Sequence, residues 1–197
     1  MTTKRKITLA DVMEMTAYGE IRKARRQKIS LAKRDRRVSV GPFATFYFEN
    51  YDTMWMQVHE MLFVERGGEE QIQGELDAYN PLIPNGQNLI CTLMFEIADE
   101  TTRARELTHL GGIEDTVKLE FDENTIAANP LADGVERTTD GGKTSAVHFL
   151  SFDFTDADVA AFRDPNSRAI LSIGHRNYGH MAVIPNNVRT ALIRDFD

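Results

Sequence analysis

Apolar positions in the first eighty residues recur mainly at helical spacing, whereas those after residue 87 alternate in short extended runs. Thr8 stands as an N-cap with Asp11 at the third helical position, and Ile7 and Val12 are placed to form a hydrophobic staple. This predicts one long helix over residues 8–35, with Gly19 as its weak point. Ile21, Ala24, Ile29 and Leu31 give its second half only a thin apolar stripe, so that half projects or lies on the surface.

The stretch RRVSVGPFATFYFEN is strand-like, interrupted at Gly41 and Pro42. YDTMWMQVHEMLFVER then reads as a helix with Met54, Trp55, Val58, Met61 and Leu62 on one arc; Glu65 falls inside that arc and is expected to be partly buried. After Gly67-Gly68, Ile72, Leu76 and Tyr79 share a face of a short helix that Asn80-Pro81 ends. Further strands are read at QNLICTLMFEI, DTVKLEF, TSAVHFLSFDF, RAILSI and HMAVI. Thr155, Asp158, Phe154 and Val159 repeat the cap-and-staple pattern and open another helix; a last one runs from about Asn187 to Phe196. NPLADGVERTTDGGKT reads as an exposed loop. Without a βαβ rhythm, these elements predict a single α+β domain over 1–197, a basic helix at 8–35 on a body at 36–197. Its sheet is mixed or antiparallel, with several packed helices.

Composition supports a soluble globule: 42% of the 197 residues are hydrophobic, and no apolar run approaches the roughly 20 residues of a membrane span. The start MTTKRKITLADV is basic but has no apolar stretch or small-residue cleavage site, so residence in the cytoplasm is expected. Charge is uneven. Residues 1–37 hold 12 Lys and Arg against 4 Asp and Glu, and the remainder 11 against 26, so a +8 segment precedes a −15 body. Such a segment either meets an anionic partner or docks on the acidic body of its own chain or of a second copy.

The catalytic motifs with strong signatures are missing: no phosphate-binding or dinucleotide-binding glycine loop, no G-x-S-x-G, and no H-E-x-x-H, since Phe63 stands where His59-Glu60 would need a second histidine. The single cysteine, Cys91, is in phase with Leu89, Leu93, Phe95 and Ile97 and reads as a buried structural thiol. His148 shares its strand phase with Leu150, Phe152 and Phe154 and reads as a hydrogen-bonded core histidine. His175 and His180 flank RNYG, which as a four-residue turn would oppose them across a hairpin. His59 and His109 have no such companions. Glu49, Glu60, Glu65, Glu75 and Asp77 lie in the densest polar and aromatic stretch; Glu65 is read as the partner of Arg36 or Arg37.

The ordered series RRVSVGPFATFYFEN, TMWMQVHEML, ELDAYNPLIP, LGGIE, VHFLSF and GHRNY, from about Ile7 to Phe196, resembles a family of uncharacterised bacterial proteins, domain of unknown function 3501. Where that family often has a proline after the last histidine, this chain has Arg176. The family has no established activity, but its genes often lie beside those of rubrerythrin-like proteins and iron-sulfur oxidoreductases. The resemblance therefore implies a redox or peroxide-stress setting with such partners.

Three function classes follow. The first is a non-enzymatic accessory or interaction protein of such a system. The second is a small-ligand or metal-binding enzyme whose pocket gathers Glu60, Glu65, Glu75 and Asn80, with His148 or the pair His175 and Tyr178. The third is phosphate or nucleic-acid contact through Arg25, Arg26, Lys33 and Arg36, disfavoured because the basic helix has no aromatics for base stacking and the whole chain is acidic. No cofactor or resident metal is expected.

Overall fold

A computed structural model describes residues 4–131, 137–139 and 141–197. Its organising strand is β3 (Asn88–Phe95), which is buried on both faces: Leu89, Cys91, Leu93 and Phe95 enter one core and Ile90 a second. Period-two alternation makes this possible, and the sequence NLICTLMF supplies apolar residues in both phases.

Two antiparallel sheets enclose the larger core. The first has the order β1 (Arg37–Val40), β2 (Ala44–Phe48), β3, β7 (Val147–Asp153) and β6 (Asn129–Pro130). The second runs β5 (Asn124–Ala127), β4 (Val117–Phe121), β8 (Ala169–His175) and β9 (Tyr178–Val183). At the open edge, Tyr178 of β9 reaches the β1–β2 turn: its hydroxyl accepts from the backbone N–H groups of Phe43 and Ala44, both at 2.9 Å, and donates to Val40 O at 2.9 Å. Three backbone groups that a turn would leave open are satisfied by one buried side chain. Helices α5 (Asp156–Arg163) and α6 (Asn186–Ile193) close the core below, where Phe162 packs against Phe121, Phe154 and Phe196.

Helices α1 (Met15–Arg34), α2 (Tyr51–Glu65) and α3 (Glu69–Tyr79) pack on the outer face of the first sheet and bury the second core around Tyr18, Met54, Trp55, Val58, Leu76 and Ile90. The single helix expected over 8–35 is two pieces. Thr8 caps only a 3-10 turn, Leu9–Asp11, with its backbone N–H and hydroxyl both donating to the Asp11 carboxylate. α1 starts afresh at Met15, where the Glu14 carboxylate accepts from the N–H groups of Thr16 and Ala17. Tertiary bonds cause the break: the Trp55 indole donates to Asp11 O and the Met13 N–H donates to His59 Nε2. Helical pairing of those groups would forfeit both.

Other expected elements stand, and the Thr155–Asp158 cap opens α5 as read. Short α4 (Glu100–Leu107), capped by Asp99, and the polar strands β5 and β6 were not anticipated. The expected loop at 129–144 contributes β6 and an isolated bridge between Thr138 and Thr144; its residues 132–136 and 140 lie outside the described residues.

Candidate functional site

Of the carboxylates expected to converge on a pocket, Glu65 and Glu75 meet at Gln71, while Glu60 turns to a different neighbour. Glu60 faces α1, where its carboxylate takes two hydrogen bonds from the Arg22 guanidinium, at 2.9 and 2.8 Å, and one from the Tyr18 hydroxyl at 2.7 Å. Arg22 holds the Glu60 carboxyl below its usual range, while burial and Glu60 together push the Tyr18 phenol up. Glu65 is exposed at the end of α2. It accepts from the Gln71 amide at 2.6 Å, and the same amide reaches Glu75 at 2.7 Å. The expected ion pair of Glu65 with Arg36 or Arg37 does not form: Arg36 is buried against Asp195, and Glu65 sits at the exposed end of α2, held by Gln71 of α3. Asn80 spends its amide on the backbone of Ile7, donating to its oxygen and accepting from its N–H.

His148, His175 and Tyr178 belong to the other core, between the two sheets. The turn of the β8–β9 hairpin is Arg176-Asn177, so His175 opposes Tyr178 and His180 opposes Ile173. The wider turn that would have set the two histidines face to face is not formed, since Tyr178 is drawn into the ladder by its bonds to the β1–β2 turn. His148 is buried, and its Nε2 donates to Ser145 O at 3.0 Å. Its Nδ1 faces Glu114 Oε2 at 3.6 Å, and neither atom has another partner among the described residues. Burial disfavours the imidazolium form of His148 and the Glu114 carboxylate opposes that effect. Cys91 is fully buried, which pushes its thiol well up.

The basic residues also separate. Arg36 is buried, donating to the backbone oxygens of Phe48, Glu49 and Ala191 and pairing with Asp195, so it cannot serve as a surface anion contact. Arg25 lies 4.6 Å from the centre of the Trp55 ring, and Arg22 lies 4.7 Å from that of Phe63. Through Tyr18, Arg22 and Arg25, α1 thus docks on the chain's own α2. Arg26 and Lys33 form no ion pair among the described residues.

What the helical layer does create is a groove. Leu9, Val12, Met13 and Met15 of the N-terminal segment form one wall; Leu62 and Phe63 of α2 and Ile72 of α3 form the other, enclosing a half-open space of about 940 Å³. Leu9 is 64% exposed in it. Past Phe63 lies a smaller recess of about 410 Å³, walled by Gly19, Arg22, Lys23, Arg26 and Gln27. Gly19 is the close approach of α1 to α2: a Cβ there would meet Phe63 at 3.1 Å. The groove was missed because its apolar N-terminal residues were assigned to a continuous helix. Their phase offered a hint, since Leu9, Val12 and Met13 lie off the stripe of Ile21 and Ile29.

A model of the family described as protein of unknown function (DUF3501) matches residues 6–196. The chain belongs to the DUF3501 family. A crystal structure of a novel protein of unknown function from Burkholderia pseudomallei K96243 is 36% identical, with a TM-score of 0.89 over 98% of this chain and 100% of that one. No curated protein matches the chain. For this DUF3501 chain the α+β class and the two antiparallel sheets are thereby shared with a solved relative. No helix among the described residues is long and apolar enough to cross a membrane, and those residues hold no cluster of three or more metal-ligating side chains.

Proposed function

We propose that this DUF3501 protein is a cytoplasmic accessory protein that works by docking on a partner with its helical layer, in a redox or peroxide-stress system of the kind the family resemblance implies. The observation that carries the reading is the groove, where apolar side chains including the exposed Leu9 line an open concavity of about 940 Å³. Exposed contiguous apolar surface on a folded chain costs solubility and marks a contact site. Methionines such as Met13 and Met15 suit such a surface, since their flexible thioethers repack around different partners.

The enzyme reading requires Glu60, Glu65, Glu75 and Asn80 to face one cleft. They are instead committed to Arg22, Gln71 and the Ile7 backbone.

Affinity purification of the tagged 197-residue chain from its source organism tests the docking reading. Recovery of an iron-sulfur oxidoreductase or a rubrerythrin-like protein, lost when Leu9→Asp places a charge in the groove, is the expected outcome. Recovery of no such protein, or recovery indifferent to Leu9→Asp, would count against it.

A further inference from the structure

Resting on the docking reading, we infer that the groove and the recess beyond Phe63 form one bipartite site for an acidic, amphipathic helix of a partner protein. Phe63 lines both spaces, so a ligand lying along the groove passes directly from an apolar floor to a cationic end. In that end the Arg22 guanidinium is already committed to Glu60, whereas Lys23 and Arg26 carry no ion pair among the described residues. Arg26 lies close enough to Glu60 to lower its carboxyl without pairing with it, so two cations line the recess with no ion pair of their own among the described residues. The absence of a side chain at Gly19 keeps that concavity open, since a Cβ would press on Phe63 at 3.1 Å.

The occupant's chemistry follows from both halves. An apolar row at i, i+3, i+4 and i+7 of a helix fits a groove walled by Leu9, Met13, Met15, Leu62 and Ile72. Carboxylates on the flank of that helix meet Lys23 and Arg26. Along the rim the charged residues are Glu14, which is engaged in capping α1, Arg66 and Glu69, so the excess positive charge lies at the recess end. That polarity gives the docked helix a direction. Because the site is half open rather than a tunnel, it exposes one side of its occupant to water, as a helix lying in a groove requires and a buried acyl chain does not. A polyphosphate chain would leave the apolar half unused.

The test uses the 197-residue chain and two labelled synthetic helices of about four turns, each with leucines at i, i+3, i+4 and i+7. One carries glutamates on the flanking positions, the other lysines. Fluorescence anisotropy is expected to show binding of the acidic helix only, weakening as salt rises. Leu9→Asp and the pair Lys23→Glu with Arg26→Glu should each weaken it by about tenfold, the scale of a lost anchor or charge contact. Circular dichroism of these surface variants should match that of the parent. Equal binding of both helices, no binding of either, or self-association of the chain that Leu9→Asp abolishes would overturn the inference. If the acidic helix fails to bind while recovery of a cellular partner still depends on Leu9, the assigned occupant is wrong and the docking reading stands. If both fail, both fall.

Discussion

Tyr178 and Gly41 meet at the edge where the two sheets come together, and each fixes the other's environment. Gly41 has φ +70°, and a Cβ on it would lie 2.6 Å from the His180 ring and 2.8 Å from the Tyr178 hydroxyl. Backbone strain and overlap act together, so Gly41→Ala is expected to cost about 1–3 kcal/mol. Tyr178→Phe leaves two N–H groups and a carbonyl without their partner and should cost about as much, ~1–3 kcal/mol. Chemical denaturation measures both; values near zero would mean that the edge closes without them. His59 gives a pH signature. Its Nδ1–H donates to Trp55 O at 2.7 Å and its Nε2 accepts from Met13 at 3.0 Å, so the folded state holds the neutral ring, and burial depresses its pKa below the ordinary 6.5. A histidine so depressed contributes stability that is full above the unfolded value and declines as pH falls through 6.5 toward the folded value. Stability should therefore drop on acidification from pH 7, with NMR nitrogen shifts reporting a neutral Nδ1–H tautomer of His59 in the folded protein at pH 7. An imidazolium signal from folded His59 near pH 6.5 would contradict this.

Helix α1 shows what sequence patterning resolves and what it does not. Its basic character and surface position are legible in the spacing of Ile21 and Ile29, but its start is not, since the break before Met15 is imposed by His59 and Trp55 of a different helix. Glu65 was misread for a related reason: a 100° arc presumes cover along the whole helix, and α2 outruns its cover after Leu62. Glu65→Ala is accordingly expected to change stability by no more than about 0.5 kcal/mol, as at other uncovered surface sites. The large electrostatic effect belongs instead to Arg36, at the end of the same basic segment. Removing it by Arg36→Ala leaves Asp195 buried without its charge partner and three backbone carbonyls without donors, a loss of about 3–5 kcal/mol. A change under 1 kcal/mol in a denaturation experiment would show that water reaches the pair.

Across the whole molecule, the missing βαβ rhythm narrowed the sheet to mixed or antiparallel, and both sheets are antiparallel; the inward face of β3 was legible in the phase of Leu89, Cys91, Leu93 and Phe95. Strands β5 and β6 were not, being short and polar, NTIA and NP, and held by their neighbours. The groove was illegible for a deeper reason: a sequence marks apolar residues but not which of them the fold leaves uncovered. The +8 N-terminal segment, by contrast, is only partly neutralised on folding: Arg22 and Arg36 find carboxylates, and Lys23 and Arg26 remain to face the recess. Docking through this layer is the central claim, and site-specific photo-crosslinking tests it most directly. A photoreactive residue placed at Leu9 in the groove, or at Met181 on β9, which is 71% exposed, reports contacts in living cells of the source organism. The account predicts a discrete adduct with a second protein from position 9 and none from position 181; equal labelling from both positions, or none from either, would contradict it.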